Sequence, residues 1–152
     1  MSSSIFCASI LFLFLSSIVF AGHHTIVFTS NCPSAIMQLP GIGNYGVGTY
    51  SFDQDVNGGI ASAGPKCDIN GVPCISVEFT LDQAGYSTAD ITLISPHVYT
   101  GVAEFKMTPG GSGTRCDNPN CGPMNAFYKP DDYSAQRYDH SPDAGIQINI
   151  TC

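Results

Sequence analysis

Basic residues are scarce in this sequence. It contains five Lys and Arg residues against twelve Asp and Glu, for a formal net charge of −7 at neutral pH. A cation-rich face of the kind that binds nucleic acid or anionic lipid is therefore not expected. Neutral glycans, cationic surfaces and an acidic medium are all compatible with this balance, and acidity is also an ordinary route to solubility.

Long apolar runs are missing except at the N-terminus, where residues 5–20 are almost entirely apolar. Val19 and Ala21 occupy the −3 and −1 positions of a small-residue cleavage site, which predicts a signal peptide over residues 1–21. The mature domain then spans residues 22–152. An uncleaved anchor is the alternative, but the run is short for a membrane span. We expect no membrane association after cleavage.

Cysteine usage indicates the compartment. The chain has seven cysteines, and Cys7 leaves with the leader. Six cysteines in a secreted chain predict three disulfides and an extracellular or cell-wall location. A zinc site is the alternative, but the paired short spacings it needs are missing. Local spacing favours two short pairs and leaves one that joins the chain ends: Cys67–Cys74, Cys116–Cys121 and Cys32–Cys152.

No sustained helical stripe, internal repeat or linker is present, and a period of two dominates instead. Apolar side chains alternate with polar ones in four segments: residues 24–30, 75–81, 89–94 and 146–151. Gly- and Pro-rich joints separate such segments, as in residues 40–48 and 109–113. This pattern predicts an all-β fold, an antiparallel β-sandwich or barrel whose strands are covered on one side.

Several ordered motifs resemble the thaumatin-like family. They are NCP at residues 31–33, AGPKCDINGVPC leading into VEFTL, ADITLISPHVY, AEFKMTP, the Cys116–Cys121 loop and the terminal Cys152. VEFTL is similar to the family's AEFTL strand. The short chain with six mature cysteines looks closest to the small secreted fungal members, sometimes labelled glycopeptides in basidiomycetes. The resemblance implies a disulfide-stapled, flattened antiparallel β-sandwich of thaumatin-like type, without the second disulfide-rich domain of larger members.

Larger members of that family have an acidic cleft of one Arg, one Glu and three Asp. Glu78 matches the Glu and Asp90 matches the first Asp, whereas Ser95 replaces the next Asp. The last Asp would come from the missing domain, and the Arg has no secure counterpart. Paired carboxyl groups suit glycoside hydrolysis, which makes Glu78 and Asp90 the candidate catalytic residues. The alternative, which we favour from the sequence, is two solvated acids on an outer sheet face.

Three tyrosines lie in the Pro- and Asp-rich segment of residues 118–143. Tyr128, Tyr133 and Tyr138 are candidate ligand-binding residues that would stack on sugar rings, because an aromatic ring with a polar handle suits a half-wet surface. The alternative is that they cover the edge of the sandwich.

Two further features concern metals and modification. His23 and His24 follow the predicted cleavage site and would form an N-terminal copper site, although a polar lead-in to the first strand is the simpler interpretation. The sequence therefore indicates no metal and no cofactor. Asn149 begins an N-glycosylation sequon on the outward phase of its strand.

The hypothesis from sequence is a secreted, wall-associated protein without robust catalysis. Its expected partner is a cell-wall polysaccharide such as β-glucan, and we expect a monomer. One alternative is a weak endo-β-glucanase that uses Glu78 and Asp90. Another is a secreted effector or antifungal-type protein that has a protein partner.

Overall fold

Eleven strands and one 3-10 turn make up residues 22–152, the part of the chain that the computed structural model describes. The predicted leader, residues 1–21, lies outside the described residues. Within residues 22–152, no helix has the length and apolar character that a membrane span requires. In chain order the strands are β1 (His24–Ser30), β2 (Ile36–Leu39), β3 (Gly43–Tyr45), β4 (Gly48–Phe52), β5 (Val56–Ser62), β6 (Ser76–Leu81), β7 (Ser87–Thr92), β8 (Val102–Thr108), β9 (Gly113–Cys116), β10 (Arg137–Asp139) and β11 (Gly145–Thr151).

The strands form two sheets. Sheet A has the order β4-β1-β11-β8-β9, and sheet B has the order β10-β7-β6-β5-β2-β3. The predicted all-β, disulfide-stapled sandwich is confirmed. One pairing differs from the antiparallel expectation, because β1 and β11 run parallel in the centre of sheet A. The first and last strands of the described chain therefore lie side by side.

The alternating pattern is what places the core between the sheets. Successive side chains of a strand point to opposite faces, so each strand sends every second residue inward. The inward residues of β1, β11, β6 and β7 are the apolar ones of the sequence pattern and are buried: Ile26, Phe28, Ile146, Ile148, Ile150, Val77, Phe79, Leu81 and Ile91. Their polar neighbours, Glu78 and Asp90 among them, are left on the outer faces.

All three predicted disulfides are present. Cys67–Cys74 and Cys116–Cys121 each close a short loop, with Cα atoms 5.6 Å and 5.2 Å apart. Cys32–Cys152 has a Cα separation of 5.2 Å and links the chain just beyond β1 to the chain just beyond β11. Three disulfides in a domain of this size indicate an oxidising compartment.

The segment of residues 118–143 is more ordered than its prolines suggest. It contains the 3-10 turn Tyr133–Ala135 and then β10, which pairs with β7 at the edge of sheet B. Tyr138 consequently lies on a strand, directly opposite Thr88. This edge strand extends the face that carries the two candidate acids.

Candidate functional site

Glu78 and Asp90 are direct cross-strand partners in the middle of sheet B. Glu78 lies on β6 and pairs with Asp90 on β7, and both side chains point to the outer face. Directly opposed residues hold their Cβ atoms about 4.5–5.5 Å apart. The proximity that the strand phases predict is confirmed.

The pair lies in an open depression of about 360 Å³ on the outer face of sheet B. Its lining comes from β5, β6 and β7 and from the residue that precedes β10: Gly58, Gly59, Ile60, Glu78, Phe79, Thr80, Thr88, Asp90 and Gln136. Gly59 pairs with the inward-facing Phe79, and a Cβ at position 59 would clash with the Phe79 ring on the core side of the sheet. The lining mixes hydroxyl, amide and carboxyl groups with apolar carbon, the composition of a site for a polar organic ligand.

Burial changes the protonation of both acids. Desolvation by burial, together with the nearby charge of Glu78, raises the pKa of Asp90 to about 7. Burial also raises the pKa of Glu78, while the charge of His97 acts in the opposite direction. Near neutral pH the pair therefore holds a proton on Asp90 for part of the time, so that it both donates and accepts hydrogen bonds.

The sequence-based preference was for two solvated acids on an outer sheet face; both acids do lie on the outer face, and both are partly buried there. The loop between Cys67 and Cys74 folds back over the outer face of sheet B, and Gly71 of this loop packs against Ser62, Ser76 and Ile60. Ser62 and Ser76 are on the outer phase of their strands and yet only 1% and 0% exposed. The loop therefore covers the outer face beside the acid pair, since Ser76 is only two residues from Glu78 on β6.

His97 belongs to the same side of the site. Its Nδ1 lies 2.8 Å from the carbonyl oxygen of Cys74, so this nitrogen is the donor, and it lies 3.3 Å from Ser76 Oγ. His97 thereby ties the segment after β7 to the end of the disulfide loop. It also lies close enough to Glu78 to influence that carboxyl group.

The three candidate tyrosines have different environments. Tyr138 is 51% exposed on β10, and its hydroxyl donates to Gln136 Oε1 at 2.9 Å. Tyr133 is exposed and packs edge to face on Phe127. Tyr128 is half-buried, and its hydroxyl donates to the Pro119 carbonyl at 3.0 Å. Only Tyr138 is positioned next to the residues that line the depression.

Neither Ser95 nor Arg137 adds a charged group to the acid pair. Ser95 is exposed in the segment after β7, where it supplies no carboxyl group. Arg137 lies on β10 opposite the inward-facing Ala89. Its guanidinium donates to the carbonyls of Gly113, Ser134, Gln136 and Met124, at 2.8–3.1 Å. This arginine anchors the backbone and is not directed at the acid pair.

The N-terminal histidines anchor the start of β1. His24 is 0% exposed, and its Nδ1 donates to the Ala144 carbonyl at 2.7 Å. His23 Nδ1 pairs with Asp53 Oδ1 at 2.6 Å, and the His23 backbone N–H donates to Asp143 Oδ1. In the described part of the chain, no group of three or more His, Cys, Asp or Glu residues is placed to hold a metal ion.

Asn149 lies on the other sheet. It is exposed on β11, the central strand of sheet A, and its Oδ1 accepts a hydrogen bond of 3.0 Å from Thr29 Oγ1. A glycan at Asn149 would therefore project from sheet A, on the side of the sandwich opposite to the acid pair.

Sequence reasoning missed Gln136 and Ile60 as lining residues. Ile60 pairs with Glu78, and Gln136 continues the pairing of β10 with β7 to the position opposite Asp90. Neither residue carries a local signal of function.

A comparison of the chain with protein-family models and with curated proteins gives no match.

Proposed function

We propose that this chain is a secreted protein of thaumatin-like type that binds neutral cell-wall polysaccharide, β-glucan above all, on the outer face of sheet B, without robust catalysis. The observation that carries the proposal is the Glu78–Asp90 pair in its open depression. A carboxyl pair that retains a proton presents both donors and acceptors, which matches the hydroxyl groups of a sugar. Acidic side chains also disfavour polyanionic ligands.

Tyr138 supplies the apolar surface that sugar binding needs. Its ring is half exposed, and the hydrogen bond from its hydroxyl to Gln136 holds the side chain beside the depression. An aromatic ring of this kind packs on the C–H face of a pyranose while its hydroxyl stays wet. The three disulfides and the predicted leader support secretion into an oxidising medium.

The openness of the site argues against efficient hydrolysis. Glycosidases hold the sugar in a distorted form and position water against it, which requires walls on both sides of the reacting bond. Here the disulfide loop covers one side of the pair, and the depression is otherwise open to solvent. The acid expected at Ser95 is also missing. Binding is therefore the function that this geometry favours.

A pull-down on insoluble β-1,3-glucan tests the proposal. We expect the oxidised domain to be retained, and the double variant Glu78→Gln, Asp90→Asn to bind within about threefold of it, because amides keep the shape and hydrogen bonding of the acids. Tyr138→Ala should weaken binding about threefold to tenfold through loss of stacking. Tyr86→Ala is the matched control, since Tyr86 is exposed and packs on His140, whereas Tyr138 is bonded to the lining residue Gln136.

The result that would overturn the proposal is failure of the wild-type domain to bind any wall polysaccharide. Equal losses for Tyr138→Ala and Tyr86→Ala would contradict the assignment of the site.

A weak endo-β-glucanase is the second candidate, and the pKa of Asp90 favours it. A carboxyl group protonated near neutral pH next to an ionisable partner is the arrangement of a general acid and a nucleophile or base. We expect Glu78→Gln to abolish any release of reducing sugar from soluble β-glucan. Hydrolysis that is unchanged in this variant rules the glucanase out.

A further inference from the structure

Six side chains form one continuous row across the full width of sheet B. The register pairs Asn44 with Gln38, Gln38 with Ile60, Ile60 with Glu78, and Glu78 with Asp90. The pairing of Arg137 with Ala89 places the preceding residue, Gln136, opposite Asp90. We call this set the groove row, in the spatial order Asn44, Gln38, Ile60, Glu78, Asp90, Gln136.

All members of the groove row are on the outer face. Opposed residues of an antiparallel pair share a face, so a chain of opposed pairs defines one line across the strands. Asn44 is exposed, and the other five are half-buried. The depression around the acid pair covers four of the six members, from Ile60 to Gln136. Gln38 and Asn44 continue it to the opposite edge of the sheet.

The Cys67–Cys74 loop borders the groove row on one side. The adjacent outward residues on that side, Ser62 and Ser76, lie beneath Gly71 and the rest of the Cys67–Cys74 loop. On the other side the adjacent outward residues are Thr80, Thr88 and Tyr138, of which Tyr138 presents an exposed ring. A ligand on the row is therefore guided across the strands, parallel to the edge of the loop.

The chemistry of the row is that of a hydroxyl-rich, uncharged ligand. It contains three carboxamides, two carboxyl groups and one aliphatic side chain, and no cation. Within residues 22–152, the side-chain amides of Gln38 and Asn44 make no hydrogen bond to the protein. Carboxamides offer both donors and acceptors without charge, which suits hydroxyl groups in either role.

We propose that the groove row binds a single linear, neutral, β-linked glucan chain that crosses all six strands of sheet B, with Gln38 and Asn44 forming subsites remote from the acid pair. This inference rests on the proposed glycan-binding function and adds the path and length of the ligand. Neighbouring strands are about 4.8 Å apart, so the five intervals of the row span about 24 Å. One strand interval is close to the rise of one sugar unit in an extended β-linked chain. The row therefore matches about five units.

The outer face of sheet A provides an internal comparison. Gln147 there is opposite Lys106, and Asn149 is opposite Glu104, which pairs with Arg115 at 2.9 Å. That face carries cations and an ion pair where the groove row carries uncharged amides. Gln147 is exposed on a central strand, as a matched position for Gln38 outside the groove row.

Chain-length dependence tests the inference. Calorimetric titration of the oxidised domain with β-1,3- and β-1,4-linked gluco-oligosaccharides, from dimer to octamer, should show affinity that rises to about the pentamer and then levels off. Gln38→Ala and Asn44→Ala should each weaken hexamer binding about threefold to tenfold, through the loss of a hydrogen bond, and leave trimer binding within twofold. Gln147→Ala should change neither.

The possible outcomes separate the two proposals. The groove row is overturned if affinity levels off at the trimer, or if Gln38→Ala and Asn44→Ala leave hexamer affinity unchanged. In either case binding of short glycans at the acid pair would still support the proposed function. Equal losses for Gln147→Ala and Gln38→Ala overturn the groove row as well. The absence of binding to every oligomer and to insoluble glucan overturns the proposed function itself.

Discussion

At the scale of single residues, the acid pair combines proximity with partial burial. Glu78 and Asp90 are opposed across β6 and β7, and neither carboxyl group has a hydrogen-bond donor within residues 22–152 to stabilise its charge. Desolvation then dominates, and it favours the neutral form of a carboxyl group. Ionisation of Asp90 therefore lowers the free energy of unfolding, and strained electrostatics of this kind are common at functional sites.

The pH dependence of stability follows from this pair. The pKa of Asp90 is about 7 in the folded protein and about 3.9 in an unfolded chain, so between these values the folded state binds more protons. The contribution of Asp90 to the free energy of unfolding is therefore fully present below about pH 4 and is lost as the pH rises through about 7. The loss is a few kcal/mol at most, since one pKa unit corresponds to about 1.4 kcal/mol.

Asp90→Asn should remove this loss. We expect the variant to be more stable than the wild type at pH 8 and to lose the advantage near pH 4, in denaturant unfolding followed at both pH values. Asp131→Asn is the control, because Asp131 is exposed in the segment before β10. Identical pH slopes for Asp90→Asn and wild type would show that Asp90 is not the group responsible.

At the scale of elements, β10 depends on one side chain. The strand has three residues and pairs only with β7, and the guanidinium of Arg137 holds it to the carbonyls of four surrounding residues. A planar fork with several donors suits this arrangement, and a lysine ammonium cannot reproduce it. Tyr138 lies on β10, and Gln136 directly precedes the strand. The positions of these two side chains at the edge of the proposed groove therefore depend on Arg137.

We expect Arg137→Lys to lower the free energy of unfolding by about 1–3 kcal/mol, because carbonyl groups lose their donors. In this variant, amide hydrogen exchange should accelerate more in β10 than in β6, relative to the wild type. Arg115→Lys is the matched control, since Arg115 pairs with exposed Glu104 and such pairs contribute about 0–1 kcal/mol. Equal effects of the two substitutions would contradict the anchoring role of Arg137.

At the scale of the whole molecule, the chain ends are joined in the middle of sheet A. β1 and β11 pair in parallel, and Cys32–Cys152 closes a loop with a sequence separation of 120 residues just beyond both strands. Cross-linking residues so distant restricts the unfolded chain more than closing a short loop does. The Cys116–Cys121 disulfide, with a separation of 5, restricts it least.

Replacing Cys32 and Cys152 by serine should therefore destabilise the fold more than replacing Cys116 and Cys121. Chain-entropy arguments give about 4–5 kcal/mol for the long loop and about 2 kcal/mol for the short one. Denaturant unfolding of the two double variants measures the difference. A smaller loss for the long-range pair would mean that its unfolded state stays compact, or that the sheet A pairing holds the ends without it.

Much of this architecture was accessible from the chain itself. The two-residue period depends only on neighbouring positions, so it identified the strands and the inward residues Ile146, Ile148 and Ile150. The same period placed Glu78 and Asp90 on the outer face of consecutive strands, where a short connection makes pairing the default. It did not distinguish the parallel pairing of β1 with β11, because alternation is the same for both strand directions.

The all-β class, the two short disulfides and the outward acid pair follow from local spacing along the chain, and Cys32–Cys152 is the pair that remains. The protonation of the acid pair and the set of residues around it arise only when the sheets assemble. Burial of Glu78 and Asp90 arises in the assembled sheet, where the Cys67–Cys74 loop also covers the neighbouring outward residues Ser62 and Ser76. The alignment of Asn44, Gln38 and Gln136 with the acids depends on register between strands far apart in the chain. Register is a property of the assembled sheet, because each strand aligns only when its apolar face meets a common core.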